Sequence, residues 1–414
     1  MIPLKIETIN FIRKWLFIAM FSFSLFPIKV INICFICFGL LTLLFIFIEK
    51  PLVKFADFRI YGLFILPFIP YLIEWILFPT NSVIRFEMEK KALLFIAPVA
   101  FYLDSLLKSK NETRYAINCF IGSVSLLSFV SFFYLLFSGN LLSISSYLNG
   151  AFELRRSFEE FSGQHPIYYG LFSTTASLWL LYYFDSYSKN LQWLLGISVF
   201  FMILLNLLIA AKMPLLMLVI GLLWVAFKKI KNRNKLAMIY VLFFGVIFIS
   251  IMFIPSLNNR LGEVTDFFVS ATANNTVLER FVVFNCSKMV FAQDFYLGIG
   301  SRNAQELLDF CYVYFKFYKG YSIHLNSHNQ YLTIGISYGI GILSVFIAFL
   351  CFLFQKFKRH PFAIIFWFCS VSIMFTESIL ERQMGIYYFL FFGLLFLLPP
   401  IKNNSESSIL PPIF

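Results

Sequence analysis

A histidine followed directly by an asparagine, His328-Asn329, lies where a long polar stretch of the sequence meets an apolar run. An imidazole can exchange a proton near neutral pH, and an asparagine amide can hold that ring or a substrate hydroxyl by hydrogen bonds. The pair therefore predicts a general base that acts on a hydroxyl group. The alternative is a structural histidine at a membrane interface.

A second histidine, His324, comes four positions before His328, so a helix would place both rings on one face. Two histidines with that spacing can bind zinc, but no third ligand is evident and the glutamate of an H-E-x-x-H motif is absent. The paired carboxylates of an Asp-x-Asp motif, which could hold a divalent cation, are also absent. We therefore predict no metal and no cofactor.

Several cationic side chains are placed where they can bind an anion. Arg280 is at the start of a short apolar stretch, and Lys212 lies in a tight turn between two long apolar runs. Arg155 and Arg156 precede His165 in a polar segment. An arginine offers a bidentate, permanently charged fork for phosphate, whereas a lysine offers a compact point charge.

Some of these cations also have an ordinary explanation. Lys212 can anchor a helix end by extending its ammonium group to the interface, and Arg280 can form a surface ion pair with Glu279 or Glu263. Placing a charged group near membrane depth costs free energy, so such a residue is expected to have a functional or structural role. Four further ionisable residues meet that description: Glu74, Glu377, Glu381 and Arg382.

The composition indicates what kind of fold must position these residues. Of the 414 residues, 60% are hydrophobic and only 13% are charged, and the mean hydropathy is +0.82. A soluble domain of this length needs a more polar surface, so a polytopic membrane protein is predicted. The net charge of +12 is then explained by positive cytoplasmic loops and not by binding to nucleic acid.

Repeated apolar runs predict an all-α membrane fold with about twelve transmembrane helices. The first run is expected to be a retained helix and not a signal peptide, because it lacks a small-residue cleavage site. A bundle of this kind belongs in an inner membrane. The predicted spans are 11–28, 30–48, 60–78, 91–107, 115–137, 166–184, 192–210, 213–227, 236–254, 328–354, 361–377 and 384–399.

The distribution of Lys and Arg predicts that both termini are cytoplasmic and that all the candidate residues lie on or near the outer side. Residues 304–318 have the spacing of an amphipathic helix.

The seven cysteines are scattered and predict no disulfide framework. The predicted division is 1–254 with nine helices and an outer loop at 139–165, 255–327 as a long outer loop domain, 328–400 with three helices, and 401–414 as a cytoplasmic tail.

The whole pattern resembles the bacterial O-antigen ligase and polymerase superfamily, best over 150–345. The most specific piece is Asn326-Ser327-His328-Asn329-Gln330-Tyr331-Leu332, which is similar to the catalytic His-Asn motif of that family. Arg155-Arg156 to Tyr169 resembles its outer Arg segment, and Glu279-Arg280-Phe281 resembles its loop Arg helix. Lys212 stands where the family usually has Arg, which keeps the charge but loses the bidentate fork.

This resemblance implies a metal-independent, inverting glycosyltransferase of the integral-membrane type, with its active site on the periplasmic side of a bacterial inner membrane. The donor would be a glycan on undecaprenyl diphosphate, and its polyprenyl tail would lie between helices. His328 would accept the proton of the attacking hydroxyl, with Asn329 or His324 fixing the orientation of its ring. The expected substrate contacts are Arg280, Lys212, Arg155, Arg156, His165 and His324.

The acceptor separates two enzymes with the same donor chemistry. An O-antigen ligase attaches the finished chain to lipid A-core, whereas a polymerase joins one lipid-linked repeat to another. A single late outer domain that ends in His-Asn favours the ligase, although 139–165 is a modest version of the second outer loop of polymerases. A lipid-linked oligosaccharide flippase or another transporter is the non-enzymatic alternative, and the unlike halves of the chain disfavour it.

Overall fold

The computed structural model describes residues 6–49, 55–105, 110–139, 152–232 and 276–397, together with positions 234, 235, 238 and 245. Every regular element within these ranges is a helix, so the predicted all-α class is confirmed for the described part of the chain. Most of the predicted span 236–254, residues 255–275 of the long loop and the tail 401–414 lie outside these ranges.

The α-helices include long apolar helices and shorter amphipathic ones. Three short 3-10 helices interrupt the connections, at Leu63–Phe68, Phe184–Ser186 and Ile379–Glu381. In chain order the α-helices are α1 (Ile6–Met20), α2 (Ile28–Glu49), α3 (Phe55–Gly62), α4 (Ile69–Leu77), α5 (Ser82–Lys91), α6 (Leu93–Ser105), α7 (Lys110–Phe137), α8 (Phe152–Ser162), α9 (Pro166–Tyr183), α10 (Lys189–Ile209), α11 (Lys212–Lys229), α12 (Thr276–Gln293), α13 (Ser301–Tyr314), α14 (Tyr318–Ser322), α15 (Gln330–Phe357), α16 (Pro361–Ile373) and α17 (Gln383–Leu397).

Five described helical segments are long and apolar enough to cross a membrane, and the protein is an integral membrane protein. Helices α16 and α17 are apolar but shorter. Described helices overlap every predicted span except 236–254, yet the count of twelve stays a prediction because only five segments meet the length and hydropathy of a full crossing. Those five are Ile28–Glu49, Phe58–Leu77, Glu112–Phe137, Lys189–Ile209 and Gln330–Phe357.

The chain divides into two compact units. The first unit comprises 1–41, 109–265 and 400–414, and the second comprises 42–108 and 266–399. Helices α7 to α11 therefore belong to the first unit, and α3 to α6 and α12 to α17 belong to the second. The division predicted from topology, with boundaries at 254, 327 and 400, stays a prediction.

Polar side chains join three helices in the core of the first unit. Thr174 of α9 donates through Oγ1 to the Pro214 carbonyl of α11 at 3.1 Å, and Asn206 of α10 donates through Nδ2 to Thr174 Oγ1 at 3.2 Å. Hydrogen bonds of this kind can hold apolar helices together, because the hydrophobic effect does not drive helix association within lipid. They fix the short turn between α10 and α11, where Ala210 has a left-handed φ of 51° and Lys212 begins the next helix.

The long helix α15 of the second unit is broken at Gly339, which has φ 74° and ψ −179°. The break pairs with the segment before α13, since Ile299 N donates to Ile336 O at 2.9 Å and Ile340 N donates to Phe295 O at 2.9 Å. Backbone groups freed by a helix break in a membrane protein need such partners. A Cβ atom at position 339 would overlap the Tyr296 carbonyl group, so only glycine fits there.

A buried carboxylate fixes the same region from another helix. Glu74 of α4 accepts a hydrogen bond through Oε1 from Ser301 N at 3.0 Å, and through Oε2 from the Tyr338 hydroxyl at 3.2 Å. The first contact places a negative charge at the start of α13, where free N–H groups and the helix dipole favour it. Glu74 therefore links α4, α13 and α15, which accounts for one of the ionisable residues noted in the sequence.

The cysteine prediction is wrong at one place, because Cys286 and Cys311 form a disulfide that joins α12 to α13. Both are buried in an apolar cluster with Val283, Leu308 and Tyr312. They are 25 residues apart and each sits on the apolar face of its own helix, so each looks like an ordinary packing residue in the sequence. Disulfides persist in oxidising compartments such as the periplasm, which supports the predicted outer location of this segment.

The break in α15 generates a test with a matched control. We expect Gly339→Ala to destabilise the protein by about 2 to 3 kcal/mol, because an L-residue is strained at this φ and ψ and its Cβ overlaps Tyr296. Gly341→Ala, two residues on, meets no atom within 4 Å and should be neutral or stabilise the helix by up to about 1 kcal/mol. Thermal unfolding in detergent measures both, and equal effects of the two substitutions would contradict the constraint.

Candidate active site

The imidazole of His328 lies against a buried carboxylate. Its Nδ1 is 3.3 Å from Oε2 of Glu377, which is only 8% exposed and lies in the connection after α16. Arg280 of α12 donates through Nη2 to Glu377 Oε1 at 2.8 Å and through Nη1 to Thr376 O at 3.1 Å. One carboxylate therefore bridges a histidine and an arginine from two different elements.

This arrangement keeps Glu377 ionised. Burial alone would raise the pKa of Glu377, but the hydrogen bond with His328 and the positive charge of Arg280 together lower it to about 2. The carboxylate beside Nδ1 fixes the orientation of the imidazole ring. With Nδ1 directed at Glu377, Nε2 is the nitrogen that remains for a substrate.

The backbone around His328 is held in a defined, non-helical shape. His328 has a left-handed φ of 46°, and its N–H donates to Asn326 Oδ1 at 3.0 Å. Asn329 caps α15, since its Oδ1 accepts from Leu332 N and its Nδ2 donates to Phe375 O, each at 3.0 Å. Both polar groups of the Asn329 side chain are therefore directed at backbone, and the carboxylate that contacts the His328 ring is that of Glu377.

His324 is paired separately. Its Nδ1 is 2.6 Å from Asp309 Oδ2 of α13, and its side chain is 67% exposed. It has a left-handed φ of 49°, so no helix runs from His324 to His328 and the expected alignment on one face does not occur. Within the described residues no group of His, Cys, Asp and Glu is arranged to hold a metal ion.

The loop before His328 is fastened to α13. The Leu325 carbonyl accepts hydrogen bonds from Gln305 Nε2 at 3.1 Å and from the Tyr312 hydroxyl at 3.0 Å. Since the disulfide joins α13 to α12, the loop that carries His328 and the helix that carries Arg280 are held by one cross-linked pair of helices.

The sequence offered Glu279 or Glu263 as a surface partner of Arg280, and the described one, Glu279, pairs with another cation. The neighbouring Glu279 instead accepts from Lys319 Nζ at 2.7 Å, and Glu263 lies outside the described residues. The Arg280 side chain is 44% exposed even with its two contacts. Part of the Arg280 side chain is therefore accessible from solvent.

The remaining predicted contacts belong to the first unit, whereas His324, His328, Asn329 and Arg280 belong to the second. Lys212 is exposed at the first position of α11. Arg156 donates through Nε to Glu160 Oε1 at 2.8 Å on the exposed face of α8, while Arg155 beside it is half-buried. His165 caps α9 by accepting from Ile167 N at 3.4 Å. That both sets face one substrate stays a prediction.

The sequence did not predict that several charged residues of the second unit form one hydrogen-bonded cluster. Lys91 is 1% exposed, and its Nζ donates to Glu87 Oε2 at 2.8 Å and to Glu381 Oε2 at 2.6 Å. The Tyr71 hydroxyl donates to Glu381 Oε1 at 3.0 Å. The spacing of Glu87 and Lys91 on one helix face was the available signal, but nothing in the sequence indicates that Glu381 lies beside them.

These observations describe an all-helical membrane protein with a polar site built around a histidine at the start of a long apolar helix. Residues 197–347 match the protein family described as O-Antigen ligase. This match supports the membership in the O-antigen ligase and polymerase superfamily that the sequence predicted. No curated protein is significantly similar to the chain.

The family match supports a ligase- or polymerase-type function and implies lipid-linked glycan substrates. It covers five of the predicted site residues, namely Lys212, Arg280, His324, His328 and Asn329, and it ends before Glu377. The carboxylate that orients His328 therefore comes from outside the matched segment and is identified by the geometry.

The low pKa of Glu377 leads to a test by pH. Since its folded-state pKa is about 2 against an ordinary value of 4.5, the ionised carboxylate contributes about 3 kcal/mol of stability above pH 4.5, lost as the pH falls towards 2. We expect Glu377→Gln to remove this part of the acid destabilisation. Melting temperatures in detergent between pH 6 and pH 3 measure it, with Glu89→Gln as the exposed control; parallel curves for wild type and Glu377→Gln would contradict it.

Proposed function

We propose that this protein transfers a glycan from an undecaprenyl-diphosphate carrier to a hydroxyl of an acceptor, with His328 as the general base. The observation that carries the proposal is the contact of His328 with Glu377, which in turn binds Arg280. A base and an anion-binding group are thereby held by one buried carboxylate. The family match supports the same class of reaction.

The reaction follows from the orientation of the ring. Nε2 of His328 takes the proton of the acceptor hydroxyl as its oxygen bonds to the anomeric carbon of the donor sugar, and the bond from that carbon to the diphosphate oxygen breaks. Glu377 stabilises the imidazolium that forms. Positioned base catalysis of this kind contributes about 10² to 10⁴ in rate. Attack from the face opposite the leaving group inverts the anomeric configuration.

The leaving diphosphate gains negative charge during the transfer, and cations must stabilise it. Arg280 is partly exposed next to the base and is the cation proposed for this contact. Lys212 and Arg155 or Arg156, with His165 and His324 as further substrate contacts, complete the proposed set. Preorganised charges at a developing anion commonly contribute several kcal/mol. We propose that the transfer needs no metal ion, because the sequence offers no paired carboxylates of the Asp-x-Asp type.

An apolar groove in the second unit supports a lipid carrier. Its walls include Ile342 and Val345, which are 37% and 46% exposed. Gln330, two positions after His328, also lines the groove, and its buried Nε2 has no hydrogen-bond partner among the described residues. A prenyl tail fits apolar walls, and a phosphate oxygen at the polar end would satisfy the Gln330 amide.

We propose lipid A-core as the acceptor, which makes the protein an O-antigen ligase in the inner membrane with its site on the periplasmic side. The alternative is a polymerase that joins lipid-linked repeats. The disulfide between Cys286 and Cys311 supports the periplasmic side, because the cytosol keeps thiols reduced.

Replacement of the base tests the proposed chemistry. We expect His328→Ala and Arg280→Ala to reduce transfer at least about 100-fold at unchanged protein level, because they remove the proton acceptor and the cation beside it. The matched control is His360→Ala, since His360 lies at the start of α16 and outside the site. Glycan attached to lipid A-core is measured on gels of surface polysaccharide from a complemented deletion strain. Near-normal transfer in either site variant refutes the assignment.

The same strain separates the two acceptors. A ligase deletion leaves lipopolysaccharide without O-chains while long chains accumulate on the lipid carrier. A polymerase deletion instead leaves single repeats attached to the lipopolysaccharide. The second pattern would show that the acceptor is a lipid-linked glycan and not lipid A-core. The proposed donor chemistry would be unchanged.

Lys212 tests the contribution of the first unit. We expect Lys212→Arg to keep transfer within about threefold, because the charge is retained, and Lys212→Ala to lower it at least about tenfold. The same polysaccharide gels measure both. Equal, small effects of the two substitutions would leave Lys212 as a helix anchor only.

A further inference from the structure

A polar cavity of about 360 Å³ lies in the second unit beside the start of α15. This volume is within the range of sites that bind small molecules. Its wall includes Asn326 and Ser327, the two residues directly before His328, and Asn326 Oδ1 accepts from the His328 N–H. The cavity is therefore continuous with the backbone that carries the proposed base, although the His328 ring is not part of its lining.

Four charged side chains of the cavity lining form a neutral cluster. Glu87 accepts from Lys90 Nζ at 2.6 Å and from Lys91 Nζ at 2.8 Å, and Lys91 is also bonded to Glu381 at 2.6 Å. Two lysines thus face two glutamates in one hydrogen-bonded cluster. A ligand gains no net electrostatic attraction from these four side chains.

Two arginines of the lining are left with uncompensated charge. Arg302, the second residue of α13, and Arg382, just before α17, are both exposed and line the cavity. Neither guanidinium has a hydrogen-bond or ion-pair partner among the residues that the structure describes. The cavity therefore carries an excess of two positive charges in the form that best binds carboxylate or phosphate.

The rest of the lining suits a saccharide. Hydroxyl and amide side chains from three segments face the cavity, and such groups donate to and accept from sugar hydroxyls. They come from α13, from the loop before His328 and from the first turns of α15. These residues are Ser301, Gln305, Asn326, Ser327, Thr333 and Ser337.

We propose that this cavity binds an acidic saccharide, a sugar that carries a carboxylate or a phosphate group, as the acceptor side of the reaction. Arg302 and Arg382 take the anionic group, and the hydroxyl and amide side chains orient the ring. The assignment to the acceptor rests on the proposed function, because it places the ligand next to the base. The binding itself does not depend on that function.

Binding of simple sugars to the full-length protein tests the cavity directly. Galacturonic acid, glucose 6-phosphate and galactose are the probes, and ligand-observed NMR on His328→Ala protein in lipid nanodiscs measures their dissociation constants without turnover. We expect both acidic sugars to bind about tenfold or more tighter than galactose, the preference weakening as salt is raised. Equal binding of galactose and the acidic sugars overturns the proposal. A preference for galacturonic acid alone identifies a carboxylate as the bound group, and a preference for glucose 6-phosphate alone identifies a phosphate.

Variants of the two arginines locate the site. We expect the double variant Arg302→Gln and Arg382→Gln to bind both acidic sugars about tenfold more weakly, with galactose unchanged. The control is Arg85→Gln, an exposed arginine of α5 that is paired with Glu89 and does not line the cavity. Unchanged binding by the double variant overturns the proposal. Since His328→Ala protein is used throughout, this failure would leave the proposed transfer reaction intact.

The same double variant in an otherwise wild-type protein connects binding with transfer. We expect the KM for the acceptor to rise about tenfold while kcat stays within about threefold, because the arginines bind acceptor and do not touch the reacting atoms. A fall in kcat with unchanged KM would overturn the assignment to the acceptor.

Discussion

The buried carboxylate of Glu377 is the contact on which the geometry of the candidate site depends. It joins the connection after α16 to Arg280 on α12 and to His328 before α15. A buried charge is costly unless it is paired, and Arg280 supplies the opposite charge. His328 and Arg280 are therefore held relative to each other by electrostatics as well as by helix packing.

A second constraint keeps α15 in place beneath this site. The break at Gly339 is bonded to the segment before α13, and Glu74 binds both the start of α13 and Tyr338. The disulfide then joins α13 to α12. Each helix that contributes to the site is thus connected to another by hydrogen bonds or a covalent bond, which apolar packing within a membrane would not provide.

The sequence predicted those features that have a local signal. Helix periodicity placed an amphipathic helix at 304–318, where α13 occupies Ser301–Tyr314, and the change from polar to apolar residues placed His328 at the start of α15. The pairing of His328 with Glu377 spans 49 residues, and that of Cys286 with Cys311 spans 25. Such pairings have no local pattern, because they depend on which helices pack together. The helical alignment of His324 with His328 failed since hydrogen bonds to α13 hold that loop in a left-handed, irregular path.

Two histidine–carboxylate pairs lie close together in the chain, and burial separates their roles. The His328 side chain is 17% exposed against a Glu377 side chain that is 10% exposed, whereas the His324 side chain is 67% exposed. Solvent screens charge in the second pair more than in the first, so the buried Glu377 is the better partner for the proposed base. His324 lines the polar cavity instead. The proposed chemistry and acceptor recognition therefore use different side chains on one loop, so the recognised sugar can vary while the base and its carboxylate are unchanged.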